Sequence, residues 1–539
     1  DAMERLAAVW RALTPRRASA AVSAAHPGDD ASQPSVPYTA KNFKALLAEI
    51  GRLFVSKVNN GAVPRAFKAW CAMFMEPHEE LRGVGGEQWK LLNEMTWELF
   101  QAALSSMPAN KAVGSDGVAA ELIRDAGGAV QRELYEAIMA DLRAGRVAEQ
   151  WRTVLYALLV KPGLNDARKI SERREIALMS QCSKLLLQMA RWASYRRVTG
   201  RVDKAQLGWL PGYGVTDAGL TAQLVMQQAA CLEHELHVLY IDVSTFFPAI
   251  DREVREVAEL FIGLPKEVIE LSALIYGRLE AERYANGDAA TQANELVRCH
   301  YDSAAGIGDG FDNYMGDLMG CVLSPDKAKI LLNTVVVAIT AVSKGVRLWG
   351  YGVADREEAW RSVCQVAFAD DWVGLFASRS QLTAAWDIWR TWEVIAGCKL
   401  GIKADTKTVV TGVRWEGGRA HEVGDPGLRT AHGSKVPYIK YWQAYKHLGI
   451  WRRADGGDST AWARMAEKFD KAIDRLARLR KPTLDEFMLV TEALIGGTAG
   501  YYGQTVVITK QRAEEVEARW RALFNRKFRR ARSTPRVEL

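Results

Sequence analysis

Apolar positions change their period twice along this chain. Through residues 41–104 and again through 180–198 they recur at helical spacing. From Ser459 onward, Trp462, Met465, Phe469, Ile473 and Leu476 return at steps of three and four, which makes one apolar helix face. Between these helical stretches the apolar runs shorten. Residues 151–160, 238–243, 363–376, 399–412 and 445–451 read as short strands bounded by turn residues. The run 238–243 is broken only by Asp242, as expected of a strand buried on both faces. The run 363–376 reads as two strands meeting at Asp370 and Asp371. A polar loop with two glycines, 110–117, precedes a helix predicted from about Ala119, and Lys161-Pro162-Gly163 reads as a turn. Residues 1–40, rich in Ala, Pro, Ser and Arg, read as a loosely ordered lead-in. The pattern predicts an α+β chain, sheet-rich in the middle and helical towards both ends.

Composition narrows the class. The 539 residues are 48% hydrophobic and 25% charged, which excludes collagen-like, coiled-coil and wholly disordered proteins. The strongest apolar run, 330–342, is interrupted by Asn333 and falls short of the ~20 residues a membrane span needs, so no membrane partner is expected. No secretory leader is read at the start of the chain, so a secreted protein is not expected. Seven cysteines, odd in number, widely spaced and without a C-x-x-C pair, point to a reducing compartment, nuclear or cytoplasmic. Cys231, His234 and His237 come nearest to a zinc pattern but lack a fourth ligand, and are read as structural. The net charge of +7 is mild and permits a nucleic-acid partner without requiring one. Its distribution says more. Eight basic residues and no acid lie between Arg519 and Arg536, and the helix after Ser459 carries Lys468, Lys471, Arg475 and Arg478 on one face.

Three carboxylates carry the candidate chemistry. A carboxylate ending an apolar strand is expensive unless its charge is offset. Two adjacent aspartates also repel each other when both are ionised. A hard cation relieves both costs, and Mg²⁺ favours one or two protein carboxylates together with substrate phosphates. Two such ions roughly 3.5–4 Å apart make the arrangement of polymerases and nucleases.

Order and surroundings sharpen this reading. Asn110-Lys111-Ala112-Val113-Gly114-Ser115-Asp116-Gly117, followed by Ala120-Glu121-Leu122, resembles N-K-A-x-G-x-D-G…A-E-L. Residues 151–161 with Arg174-Glu175-Ile176-Ala177-Leu178 are similar to W…K…R-P-I-x-L, with Glu175 in place of proline. Gln206-Leu207-Gly208-Trp209 and residues 212–216 resemble Q-x-G-F-x-x-G-x-x-T. Residues 240–251 resemble a first catalytic motif, D-x-x-x-x-F-D-x-I-D, with Asp242 leading and Pro248 replacing an aspartate. Gly320-Cys321-Val322-Leu323-Ser324-Pro325 resembles Q-G-C-x-L-S-P, with Met319 where glutamine is usual. Phe368-Ala369-Asp370-Asp371 matches F/Y-A-D-D. Leu400-Gly401-Ile402 with Lys407-Thr408 resembles L-G-L…K-T, and Tyr445-Lys446-His447-Leu448-Gly449 resembles Y-K-Y-L-G. These ordered elements span residues 110–450, about 63% of the chain, and resemble the reverse transcriptases of non-LTR retrotransposons and group II introns.

The resemblance implies a right-hand polymerase: N-terminal helices and fingers over 41–236, an antiparallel palm with the primer grip over 237–452, and a helical thumb over 453–539. It implies a primer 3′-OH attacking a dNTP under an RNA template, with two Mg²⁺ ions or Mn²⁺ in their place. Asp242, Asp370, Asp371 and the backbone carbonyl of Val243 would be the metal ligands. Phe247 would gate the sugar. Arg174 and, more weakly, Lys161 would hold the triphosphate. Lys407 would protonate the leaving pyrophosphate, and Met319 and Gly320 would lie beside the nucleotide. Tyr445, Lys446 and Gly449 would grip a DNA primer, and the basic face of the last helices would follow the duplex backbone. No endonuclease pattern is read, so a separate endonuclease would have to cut a target. Two other readings stay open: a domain that binds RNA without polymerising, and an RNA-dependent RNA polymerase, which Phe247 and Ala369 oppose.

Overall fold

The computed structural model describes residues 62–75, 90–161, 173–276, 297–303, 306–313, 315–349, 360–402, 407–503 and 505–528. The expected lead-in, the Pro162-Gly163 turn and the basic residues beyond 528 lie outside these. The chain is α+β, and its largest all-antiparallel sheet forms the middle.

Strand β3 (Leu236–Ile241) is the centre of that sheet, and all six of its residues are buried. Its side chains alternate. Leu239 and Ile241 enter one core, whereas Leu236, Val238 and Tyr240 enter another. Each fully buried aliphatic side chain contributes roughly 1.5–3 kcal/mol. With both faces covered, the register cannot slip by one residue without exchanging the two sets. The strand begins two residues earlier than expected, taking in the buried His237, and stops before the carboxylate of Asp242. β10 (Asp371–Phe376) and β11 (Val409–Glu416) flank it, with β9 (Gln365–Phe368) and β12 (Arg419–Glu422) at the edges, every pair antiparallel. Helix α1 (Val215–Cys231) covers one face through Ala218, Ala222, Val225, Met226 and Ala229. Helices α2 (Ser324–Val342) and α3 (Arg379–Ile395) cover the other. The expected strand over 399–412 is ordered as a strand only from Val409, and residues 403–406 lie outside the described ones.

A second sheet is mixed. β1 (Thr153–Val160) pairs antiparallel with β2 (Arg173–Leu178) and parallel with β4 (Arg298–Ser303); β5 (Gly306–Ile307) and β6 (Phe311–Asp312) add to β4. It therefore draws strands from both sides of the boundary expected at residue 236. Trp151 belongs to a 3₁₀ turn, Glu149–Arg152, rather than to the strand.

The expected single strand over 445–451 is a hairpin. β13 (Tyr445–His447) turns into β14 (Ile450–Arg452) through Leu448 and Gly449, both at positive φ, which allows a two-residue connection. Beyond it, helix α4 (Ser459–Arg478) buries Met465, Phe469 and Leu476 and leaves Lys468, Lys471, Arg475 and Arg478 exposed. A π turn, Glu492–Gly496, leads into α5 (Gly497–Tyr502), whose Tyr502 hydroxyl donates to the Gly449 carbonyl at 3.1 Å. Helix α6 (Lys510–Lys527) packs across α4. All seven cysteines are free. No helix among the described residues is long and apolar enough to cross a membrane.

Candidate functional site

The site lies where β3 and β10 end side by side. Trp372 pairs with Ile241, and one step along the same register sets Asp371 opposite Asp242. Asp371 opens β10 rather than sitting at the hairpin tip, which is made by Ala369 and Asp370. Ala369 has φ +60°, a left-handed conformation that a residue with a Cβ adopts at a cost.

Asp242 is held by its backbone. Its N–H donates to Thr408 Oγ1 at 3.2 Å, and its carbonyl accepts from Gly401 N at 2.8 Å and from the Thr408 hydroxyl at 3.3 Å. Ser244 N–H donates to the Lys399 carbonyl at 2.8 Å. These bonds flank an antiparallel bridge between Val243 and Leu400. The bridge uses the carbonyl of Asp242 and the N–H of Ser244, so the carbonyl of Val243 is directed away from Leu400. Gly401 packs against this carboxylate: a Cβ would stand 2.4 Å from Asp242 Oδ2. Lys407 Nζ donates to Asp242 Oδ1 at 2.7 Å. Asp242 Oδ2 is buried with no hydrogen-bond partner.

The other two carboxylates feel each other. Both side chains are exposed, yet protein crowds around them. Burial raises the Asp371 carboxyl to about 6, and the negative charges of Asp370 and Asp242 add to it. Burial also raises Asp370, as does Asp242, with Lys407 and Arg174 opposing. Cations gather over the acids. Burial lowers the Lys161 ammonium, and Lys407 and Arg174 lower it further while Asp242 and Glu175 oppose. Asp242, Asp370, Asp371, Lys161, Arg174 and Lys407 thus share one electrostatic neighbourhood. Glu175, beside Arg174 on β2, accepts from the Tyr301 hydroxyl at 3.2 Å, and burial raises its carboxyl.

Around this centre stand the other expected residues. Phe247 lies half-buried in the short helix Phe246–Ala249, its ring 6.0 Å from Trp209 and edge-on to it. The Phe247 carbonyl accepts from Asp317 N at 2.8 Å, which ties the strand-end turn to the 316–320 loop. Ala177 N on β2 donates to the Met319 carbonyl at 2.6 Å. Gly320, at φ +127°, packs so closely that a Cβ would meet the Ala177 carbonyl at 2.4 Å. Tyr445 stacks on Tyr240, ring centroids 4.2 Å apart, and its hydroxyl donates to the Lys407 carbonyl at 2.8 Å. Lys446 is exposed on the same hairpin. The α4 basic residues are not part of the carboxylate cluster; Lys471 pairs with Glu467 and Lys468 lies over the Tyr502 ring. The Cys231/His234/His237 set is not gathered either: His237 Nε2 pairs with Glu235 at 2.6 Å, and Cys231 is exposed at a helix end.

Among the described residues no three His, Cys, Asp or Glu groups stand in closed ligand geometry. The residues nonetheless fit a hard cation. Their donors are oxygens, one buried carboxylate oxygen is orphaned, and two carboxyls are raised by burial and by neighbouring negative charge, both of which a cation would offset. Reading the sequence missed Thr408 as a backbone anchor and gave Gln206 no role, although both stand within quoted motifs. Compared with protein-family models and with curated proteins, the chain finds no match.

Proposed function

We propose that the chain is an RNA-templated DNA polymerase of the right-hand type. The mixed β1–β2–β4 sheet and its neighbouring helices would be the fingers, the β3-centred sheet the palm and the helices from Ser459 the thumb. The observation that carries this reading is the meeting of Asp242 with Asp370 and Asp371 beneath Lys161, Arg174 and Lys407.

Asp242, Asp370, Asp371 and the carbonyl of Val243 would hold two Mg²⁺ ions, which when bound supply charge stabilisation and a more acidic primer hydroxyl. The chain's own residues do the rest. The guanidinium fork of Arg174, with Lys161, binds the triphosphate of the dNTP. Phe247 presents its ring where a ribose 2′-OH would sit. Lys407 holds a proton beside Asp242 and hands it to the leaving pyrophosphate. Gly320 lets backbone approach the templating pair. The Tyr445–Arg452 hairpin, with Lys446 and Gly449, holds the DNA primer end. The basic α4 face follows the duplex without reading sequence.

Primer extension on an RNA template tests this with wild type, Asp370→Ala and Phe247→Ala, each with dNTPs or rNTPs. Wild type should extend with dNTPs and Asp370→Ala should not, while Phe247→Ala should gain rNTP incorporation by tenfold or more. Equal RNA binding without extension by wild type and Asp370→Ala would instead identify an RNA-binding domain. A wild-type preference for rNTPs would identify an RNA polymerase.

A further inference from the structure

The left-handed Ala369 directly precedes Asp370, so whatever fixes that residue also aims both carboxylates of the turn. One side chain bonds both backbone groups of Ala369. Gln206, fully buried, lies 163 residues away in sequence. Its Oε1 accepts from Ala369 N at 3.2 Å and from Gly208 N at 3.1 Å, and its Nε2 donates to the Ala369 carbonyl at 3.3 Å. The amide thus binds both backbone groups of the strained residue, as a neighbouring strand would. The backbone around Gln206 is locked to β9: Ala367 N donates to the Ala205 carbonyl at 2.7 Å, and Leu207 N donates to the Ala367 carbonyl at 2.8 Å. Gly208 closes the contact, since a Cβ there would stand 2.1 Å from Ala369 N. The same segment continues to Trp209, whose ring meets Phe247 and whose carbonyl accepts from the buried Lys329 Nζ at 3.3 Å.

We propose that Gln206 is a positioning residue: its side-chain amide imposes the left-handed turn at Ala369 and so presets the directions of Asp370 and Asp371. This rests on the reading of those carboxylates as metal ligands. Glycine enters the left-handed region without a Cβ penalty, so Ala369→Gly should make the clamp less necessary.

The test is a double-variant cycle on the full chain: wild type, Gln206→Met, Ala369→Gly and the pair together. Mn²⁺ binding by electron paramagnetic resonance and single-turnover dNTP incorporation are measured beside the melting temperature. Gln206→Met should weaken Mn²⁺ binding about tenfold and slow incorporation at saturating dNTP. Adding Ala369→Gly should restore at least threefold of that loss. A side chain with a merely structural role would lower the melting temperature in both Met variants with no such rescue, and that result overturns the proposal. Should Gln206→Met not fold, Gln206→Glu keeps the acceptor oxygen and loses the donor, and its Mn²⁺ binding should also weaken. Wild-type affinity in the variant tested overturns the Gln206 assignment alone. Wild type that binds no Mn²⁺ overturns the metal reading and this assignment with it.

Discussion

Gly401→Ala separates folding from chemistry at this site. The added Cβ would stand 2.4 Å from Asp242 Oδ2, where ordinary contact begins at 3.4 Å, so the two must separate by about 1 Å. The Gly401 backbone has little room to retreat. Its N–H is bonded to the Asp242 carbonyl at 2.8 Å and its carbonyl accepts from Thr408 N at 2.9 Å. The carboxylate, at the end of a rotatable side chain and tied through Oδ1 to the flexible Lys407, yields first. Overpacking typically costs about 1–3 kcal/mol, and a yielding terminal atom puts this case at the low end. A misplacement of about 1 Å in reacting groups, by contrast, can cost about 100-fold in rate. Primer extension should therefore show kcat reduced by about two orders of magnitude, with KM for dNTP changed little and the urea midpoint close to wild type. A folded Gly401→Ala variant extending at the wild-type rate would refute the assignment of Asp242 to the reacting centre.

Three further outcomes follow from groups outside that centre. His447 is buried with no partner for either ring nitrogen, and burial holds its imidazole well below the usual value of 6.5. The unfolded ring takes a proton near pH 6.5 and the folded ring does not, so stability is complete above that pH and declines as pH falls, by at most about 1.4 kcal/mol per pH unit for this group. His237, also lowered by burial, adds its own share. His447→Gln should flatten the slope of unfolding free energy between pH 6.5 and 5, and an unchanged slope would rule this out. Arg255→Met leaves the buried Asp317 and Glu259 without their guanidinium partner and should cost about 3–5 kcal/mol in urea unfolding, whereas a loss below about 1 kcal/mol would show that the pair contributes little. Replacing Lys468, Lys471, Arg475 and Arg478 by Gln should weaken duplex binding without regard to sequence and lower the slope of log affinity against log salt by roughly one per lost phosphate contact. An unchanged slope would remove α4 from the interface.

The parts of the fold legible in sequence were those where burial writes a local pattern. Residues 238–241 of β3 are an unbroken apolar run because both faces are covered, and Asp242 marks its end because a carboxylate cannot continue it. The α4 face was legible for the same reason at helical period. What stayed hidden depends on contacts far apart in sequence or on unusual backbone. β4, Arg-Cys-His-Tyr-Asp-Ser, alternates polar residues with the buried Cys299 and Tyr301, but so short a pattern does not name its partner, β1, which it meets by parallel pairing. Leu448 gives no turn signal, but its positive φ beside Gly449 divides the expected strand into a hairpin. The Gln206 motif was visible, but its bonds to Ala369 bridge 163 positions that periodicity does not connect. The gathering of the three carboxylates was expected from motif order, and the ion pair of Lys407 with Asp242 emerges only from the fold.

If Asp242, Asp370 and Asp371 act together, they form one divalent-cation site. Crystals of the full chain with an RNA–DNA template–primer, a dNTP and Mn²⁺ measure this directly through anomalous scattering. Metal peaks are expected within roughly 2–2.5 Å of oxygens from Asp242 and Asp370, with the Lys407 ammonium released from Asp242. A bound template–primer and dNTP with no metal peak at these carboxylates, and Lys407 still paired to Asp242, would contradict it.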